Sequence, residues 1–236
     1  MIRRTFKQKG PEYASELALK NCTDLKKILE WNERHDIKFF RLSSGLFPWA
    51  SEYDISALPD YEQISEALST AGRYAAKNGH RITSHPGPFN KLTSPKERVI
   101  LNTIRDLEVH GDAVKTRLTV ENDDRASLYS TKELYEEIYL KIGIPIVHDF
   151  HHHTFCTGGI EQDEALLYAV ESWGAVKPVT HYSESRSIEQ NDPKIKANAH
   201  SDMIYNKIET YGFDVDVMIE AKKKEVALLH YRESYT

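Results

Sequence analysis

The sequence lacks several features that would place it in a common class of protein. Its 236 residues include only two cysteines, Cys22 and Cys156, so no disulfide framework is indicated and a reducing, cytoplasmic setting is expected. No apolar run approaches the roughly 20 residues of a bilayer-spanning helix. No apolar segment follows the basic stretch 1–7, so no secretory signal is predicted. The sequence also has no nucleophile elbow, which disfavours nucleophilic catalysis by serine or cysteine.

Histidine is the residue type in which the composition stands out. The chain has 11 histidines, several of them between positions 148 and 153, and a formal net charge of −5. Taken alone, that charge argues mildly against nucleic-acid binding, but bound divalent cations would offset it locally. The 40% apolar content is enough for one sizeable core, so a single domain over residues 1–236 is predicted.

Predicted helices and strands alternate along the chain. Strands are predicted at 37–42, 81–84, 117–121, 144–149, 177–182 and 214–220. Helices are predicted at 12–34, 60–78, about 95–110, from 130, 162–173, 200–211 and from about 221. This alternation predicts an α/β fold with a parallel sheet covered by helices. A barrel and an open doubly wound sheet both fit. The lack of a glycine-rich phosphate loop after any strand favours a TIM-type (β/α) barrel, shortened to about six recognisable strands.

Polar side chains follow nearly every predicted strand at its carboxyl end. The strand ends are 43–44, 84–87, 121–124, 148–153, 181–184 and 220–222. In a barrel these ends converge on one face, and imidazoles and carboxylates gathered there are typical ligands of zinc, manganese or iron. A lone histidine at a strand end is more often a satisfied polar residue, and a lone glutamate more often pairs with a cation. The repetition at five of six strand ends therefore carries the prediction of a metal site.

The segment 149–153, Asp-Phe-His-His-His, is the strongest local signal. Its alternative interpretation is a solvated polar loop or a fortuitous run of histidines. Neighbours in an extended segment point to opposite faces, so not all three histidines are expected to reach the same ion.

Five stretches together resemble the UV damage endonuclease family, and they cover most of the chain in the right order. They are FRLSSGLFPWAS at 40–51, SHPG at 84–87, LTVENDD at 118–124, DFHHH at 149–153 and MIEAK at 218–222. The resemblance implies a TIM-barrel enzyme that nicks duplex DNA 5′ to UV photoproducts. It also implies a cluster of divalent metals, commonly manganese, with zinc or magnesium as alternatives.

The resemblance further implies roles for individual residues. Family metal-ligand positions fall on His85, Glu121, Asp149, His152, His181, His200 and Glu220. Glu52 falls where relatives can carry a ligand histidine, and a carboxylate could substitute there. His151 and His153 match the histidine run but not its ligand positions.

Candidate residues for contact with the substrate, damaged double-stranded DNA, lie outside the ligand set. Lys222, just beyond the last ligand, is a candidate catalytic residue that would neutralise a phosphate; a solvated lysine fits equally well. Candidate wedge residues that would fill the gap left by an extruded lesion are Phe47, Trp49, Pro88 and Phe89. Hydrophobic packing at the barrel rim is the alternative for these four.

Three departures from the family pattern leave other functions open. The chain begins after the family's first strand, and Pro88-Phe89 stands where a Gln-Tyr pair is usual. A strand–helix unit with one expected ligand histidine is missing between His85 and Glu121. A sugar isomerase or epimerase on the same scaffold, and a catalytically impaired protein that binds damaged DNA, therefore remain alternative hypotheses.

Overall fold

The structure, a computed structural model, describes residues 1–84, residue 101 and residues 118–235. The chain divides into two compact units, 1–117 and 118–236. The prediction of one domain over residues 1–236 stays a prediction. In the described part of the chain, no helix combines the length and the apolar character needed to cross a membrane.

The first unit contains two long helices and a pair of parallel strands. Its elements are α1 (Arg3–Arg34), β1 (Phe39–Leu42), α2 (Tyr61–Lys77) and β2 (Arg81–Ser84), with short 3-10 turns at Ala50–Glu52 and Ile55–Ala57. Strand β1 pairs in parallel with β2, with Phe39 opposite Arg81. Both strands and α2 lie where the sequence predicts them. Helix α1 packs against α2 around buried Leu25, Leu29 and Ala71.

Helix α1 is interrupted at Gly10, which has φ +69° and ψ −171°. The residue before a proline is disfavoured in the helical region, and Pro11 is tolerated at the first turn of a new helix because its missing N–H is not needed there. The predicted helix at 12–34 is therefore confirmed, and a short helix that begins at Arg3 precedes it.

The second unit is built on a four-stranded parallel sheet. Its strands are β3 (Val120–Glu121), β4 (Ile146–Asp149), β5 (Val179–Tyr182) and β6 (Asp216–Ile219), and they neighbour one another in chain order. Its helices are α3 (Thr131–Leu134), α4 (Leu140–Ile142), α5 (Phe150–His153), α6 (Gln162–Ser172), α7 (Arg186–Glu189) and α8 (Glu225–Tyr235), with a π-helical segment at Tyr135–Tyr139 between α3 and α4. All six predicted strands are therefore present, and the four pairings between these strands are parallel.

Strand β4 is the centre of this unit's core, and all four of its residues are buried. Ile146 packs against Leu134 and Ala169. Its backbone N–H donates to Ser172 Oγ at 2.8 Å, and its carbonyl accepts from Trp173 Nε1 at 2.7 Å. The amino end of β4 is thus fixed to α6, and its carboxyl end carries the functional residues.

The helix predicted at 200–211 is wrong, because this segment is an irregular loop. Two carboxylates bind its backbone. Glu189 accepts from the N–H groups of Asp202 and Met203 at 2.7 and 2.9 Å, and Glu184 accepts from Tyr205 and Asn206 at 3.1 and 2.9 Å. These long-range bonds satisfy the backbone donors in a non-helical conformation, which local periodicity does not reveal.

Candidate metal centre

Four neighbouring strands carry acidic and imidazole side chains at their carboxyl ends. Glu121 is the last residue of β3, Asp149 is the last of β4, and Glu220 directly follows β6. Asp149 is the register partner of His181 on β5. Because parallel strands present their carboxyl ends at one edge of a sheet, these side chains meet there.

Three of these residues form a group that fits a divalent cation. Glu121, Asp149 and His181 each offer one ligand atom, and the three atoms lie within 4.8 Å of one another. Asp149 Oδ2 is buried and has no hydrogen-bond partner among the residues described. Such an orphan acceptor is costly unless a cation or proton satisfies it. Two carboxylates and an imidazole suit manganese, zinc and iron.

Three further predicted ligands adjoin this group. His181 Nδ1 lies 3.4 Å from Glu220 Oε1, and Glu220 Oε2 lies 3.6 Å from His200 Nδ1. His152 Nε2 lies 3.8 Å from Asp149 Oδ2. The ring centroids of His152 and His200 are 5.9 Å apart. The second unit therefore brings together six of the eight residues predicted as metal ligands.

The other two predicted ligands are not part of this group. His85 lies outside the described residues. Glu52 belongs to the first unit, where its side chain is 41% exposed and lies 4.0 Å from Arg3. The ligand role of both stays a prediction.

Burial and the neighbouring charges shift the pKa values of several residues in the centre. Burial raises the pKa of Asp149 to about 7; Glu121 adds to this shift and His152 opposes it. Burial disfavours protonation of His152, but the Asp149 carboxylate and the Asn122 carbonyl outweigh it, so the pKa of His152 is raised. Burial lowers the pKa of His200, and Glu220 offsets this only in part. A bound divalent cation would neutralise the negative charge of the buried carboxylates in place of protons.

The histidine run adopts one helical turn, α5, and not the extended conformation assumed for it. Asp149 caps this turn, with Oδ1 accepting from the N–H of His152 at 2.8 Å. The His152 ring lies beside the Asp149 carboxylate and is partly exposed, whereas His151 and His153 are buried. The expectation that the three histidines do not share one ion agrees with this arrangement, although the reason is the helical turn.

His148, which precedes Asp149, contributes to the core. Successive strand residues point to opposite faces, so its ring lies across β4 from the metal centre. It contacts Thr131 Oγ1 at 2.9 Å and Gln162 Nε2 at 3.1 Å. Burial lowers its pKa to about 3, so the imidazole is neutral at physiological pH.

The predicted DNA-contacting residues have different environments. Lys222 is exposed, and its backbone N–H donates to Ser201 O at 2.8 Å, two residues beyond Glu220. In the first unit, Phe47 is only 6% exposed and packs in a core with Ile64, which agrees with the packing alternative. Trp49 is half-buried, has φ +64° and stacks on Phe6 at a centroid distance of 6.0 Å. Pro88 and Phe89 lie outside the described residues.

Sequence reasoning assigned no role to Asn122, which the structure places inside the centre. It is 1% exposed and forms two side-chain hydrogen bonds with the backbone of Asp149. Its position directly after Glu121 places it near the predicted metal site. That position alone does not identify its role, because an asparagine at a strand end can have many structural roles.

The parallel strands and the carboxylate–histidine centre define an α/β protein whose site fits a divalent cation. Comparison with known families makes the assignment specific. The model of the family described as UV-endonuclease UvdE matches residues 2–113 and 111–235. The chain belongs to this family.

Curated relatives and a solved structure agree with the assignment. The chain is 30% identical to the UV-damage endonuclease of Schizosaccharomyces pombe over 286 positions, covering 98% of this chain and 46% of the relative. It is also 30% identical to the UV-damage endonuclease of Neurospora crassa, covering 96% of this chain and 42% of the relative. The UV DNA damage endonuclease of Clostridium perfringens is 26% identical, with coverages of 89% and 60%. The chain thus spans less than half the length of the two fungal relatives.

The crystal structure of SacUVDE superposes with a TM-score of 0.82 and 26% sequence identity, covering 97% of this chain and 90% of that chain. This likeness confirms the predicted fold class, a TIM-type (β/α) barrel, of which six strands are described here.

The comparisons also agree with the missing internal unit. The alignment with the S. pombe protein has 286 positions and this chain has 236 residues, so at least 50 positions have no counterpart here. The family model matches in two segments that meet at 111–113, between His85 and Glu121, where the sequence indicates the missing strand–helix unit.

Proposed function

We propose that this protein is a metal-dependent DNA repair endonuclease that nicks duplex DNA on the 5′ side of UV photoproducts. The observation that carries the proposal is the group of Glu121, Asp149 and His181, with ligand atoms within 4.8 Å, in a chain of the UvdE family. The names of the relatives, UV-damage endonucleases, supply the substrate class.

In this proposal the metal ligands are the six residues gathered at the strand ends of the second unit, and the ligand role of His85 and Glu52 stays a prediction from the resemblance. Divalent cations, manganese first among them, would activate water and stabilise the negative charge that develops on the phosphate. Asp149 and Glu121 supply the anionic ligand atoms, and the low exposure of Asp149, 0% of its side chain, excludes competing water. His181 Nδ1 lies 2.7 Å from Glu121 Oε1, and this hydrogen bond orients the Glu121 carboxylate.

Residues outside the ligand set would hold the DNA. Lys222 is the proposed phosphate contact, since its backbone is bonded to the loop that carries His200 and its side chain is exposed. Trp49 is the proposed wedge in the described part of the first unit, because its ring is partly accessible. Phe47 would have to leave a core to act in this way, so among these two we give Trp49 the wedge role.

The test is nicking of supercoiled plasmid with and without prior UV irradiation, in manganese and in chelator. We expect conversion to the open-circular form only for irradiated plasmid in manganese. Mapping of the cut on an end-labelled oligonucleotide with one photoproduct should place it on the 5′ side. No cleavage under conditions in which a relative cuts the same plasmid would refute the proposal.

Two variants distinguish the loss of a metal ligand from the loss of a negative charge elsewhere on the protein. Asp149→Asn should abolish nicking because it removes an anionic ligand atom. Glu137→Gln removes the same negative charge from an exposed helix position, 55% exposed and paired with Lys141, and should cut like the wild-type protein. Equal activity of the two variants would contradict the assignment of Asp149.

A second candidate function, a damaged-DNA-binding protein that does not cut, is favoured by one observation. At least 50 positions of the S. pombe alignment have no counterpart in this chain. Elemental analysis distinguishes the candidates: two or more tightly bound metals per chain favour the endonuclease, and zero or one favours the non-catalytic protein. The sugar isomerase alternative has no such observation in its favour.

A further inference from the structure

Asn122 occupies an unusual position at the end of the pairing between β3 and β4. The backbone register of these strands ends with Glu121 opposite Val147. One residue further on, the Asn122 side chain takes over the pairing. Its Oδ1 accepts from the N–H of Asp149 at 2.7 Å, and its Nδ2 donates to the carbonyl of Asp149 at 3.1 Å. The carboxamide thus extends the hydrogen bonding between β3 and β4 by one residue.

The same residue also fixes a histidine. The backbone carbonyl of Asn122 lies 2.8 Å from His152 Nδ1. A carbonyl only accepts, so Nδ1 must carry the proton, and in the neutral ring Nε2 keeps its lone pair. That Nε2 lies 3.8 Å from Asp149 Oδ2, on the side of the proposed cation.

These contacts connect three ligand candidates through one buried residue. Glu121 is its chain neighbour, Asp149 is held through its backbone, and His152 is held through its ring. Asn122 is only 1% exposed, so water does not compete for its hydrogen bonds. Within the described part of the chain, Asp149 Oδ2 has no hydrogen-bond partner, whereas Oδ1 accepts from the His152 N–H at 2.8 Å.

We propose that Asn122 is a positioning residue of the metal centre, which aims Asp149 and His152 at a shared cation. The proposal rests on the proposed function only in that the centre is taken to bind a divalent cation. Partners that orient metal ligands contribute strongly to affinity, and their loss typically weakens metal binding about 10- to 100-fold.

The test is a manganese titration of Asn122→Ala, in which the electron paramagnetic resonance signal of free Mn²⁺ reports binding. We expect the Kd for manganese to rise about 10- to 100-fold. The matched control is Thr131→Val, which removes a buried hydrogen bond to His148 on the opposite face of β4 and keeps the side-chain volume. The control should lose stability but keep its manganese affinity within about threefold of wild type, because its interaction does not orient a ligand.

A purely structural role predicts a different pattern. Asn122→Ala would then lose thermal stability as Thr131→Val does and bind manganese like the wild-type protein, which would overturn the proposal. If Asn122→Ala does not fold, Asn122→Ser leaves a smaller cavity and is subject to the same expectation. Failure of the folded wild-type protein to bind manganese would overturn the proposal as well.

The outcome is separable from that of the proposed function, since manganese binding is measured without DNA. Wild-type protein that binds manganese but does not nick irradiated plasmid would refute the endonuclease and leave the role of Asn122 intact. If nicking occurs, Asn122→Ala should lose kcat at limiting manganese with an unchanged KM for DNA. Excess manganese should restore its activity, a rescue that a merely destabilised variant would not show.

Discussion

Replacement of Asp149 by asparagine should make the metal-free protein more stable while it removes metal binding. The Asp149 side chain is fully buried, and burial, aided by Glu121, raises its pKa from 3.8 to about 7. The ionised carboxylate therefore destabilises the folded state. Asparagine keeps the Oδ1 acceptor for the N–H of His152 and removes the charge.

The size and sign of the effect follow from proton linkage. The unfolded chain releases the proton near pH 3.8 and the folded chain near pH 7, so the folded state binds more protons between these values. The stability of the wild-type protein should therefore fall as pH rises from about 4 to 7 and level off above that. At 1.36 kcal/mol per pKa unit, the full penalty is at most about 4 kcal/mol. At pH 8 we expect Asp149→Asn to exceed wild type by about 1 to 4 kcal/mol, and at pH 4 by much less.

Urea unfolding followed by circular dichroism, in chelator at pH 4, 6 and 8, measures this difference. Manganese at 1,000 times its Kd for the wild-type protein should cancel or reverse this difference at pH 8, because it stabilises the folded wild-type protein by about 4.1 kcal/mol and the variant loses that gain. Glu137→Gln should show neither the pH-dependent difference nor the reversal. If Asp149→Asn is less stable than wild type in chelator at pH 8, Asp149 is a structural acceptor and the reasoning fails.

Three other substitutions test separate parts of the molecule. Lys222→Gln should weaken DNA binding and reduce the slope of log affinity against log salt by about 0.9, as expected for one lost phosphate contact; an unchanged slope would identify a solvated lysine. Trp49→Ala should reduce the preference for irradiated over intact plasmid if the ring is a wedge, whereas loss of thermal stability alone would support packing on Phe6. Ser130→Ala removes the capping box with Glu133 and should lower the free energy of unfolding in urea by about 1 kcal/mol, with manganese affinity unchanged.

The sequence was most informative where local chemistry determines structure. Ile146, Val147 and the other residues of β4 read as a continuously buried strand, and the structure buries all of them. Ser130 and Glu133 form the capping box that their spacing predicts. Helix α2 stops before Gly79, whose φ of +68° glycine adopts without steric cost. The helix prediction for 200–211 was wrong because the conformation of this segment depends on Glu184 and Glu189, which are distant in sequence.

The candidate site was predictable in its ligand types but not in its supporting contacts. Repetition of histidines and carboxylates at strand ends indicated Glu121, Asp149 and His181 before any geometry was known. The two hydrogen bonds of Asn122 to Asp149 depend on a lateral pairing between β3 and β4 that no spacing along the chain encodes. The burial of His151 and His153, in contrast to His152, depends on a helical turn that begins directly at the capping Asp149.

The position of the missing segment bears on which candidate function is correct. The family match breaks at 111–113, whereas the six gathered ligand candidates lie between Glu121 and Glu220. These residues lie on four neighbouring strands or in the segments that follow them, including α5, in one compact unit. The junction of the two matched segments therefore lies outside the part of the chain, 121–220, that carries these ligand candidates. We accordingly expect the chain to bind at least one divalent cation tightly through Glu121, Asp149 and His181. A protein that bound none after metal loading would mean that the missing segment supports this centre from outside the sheet.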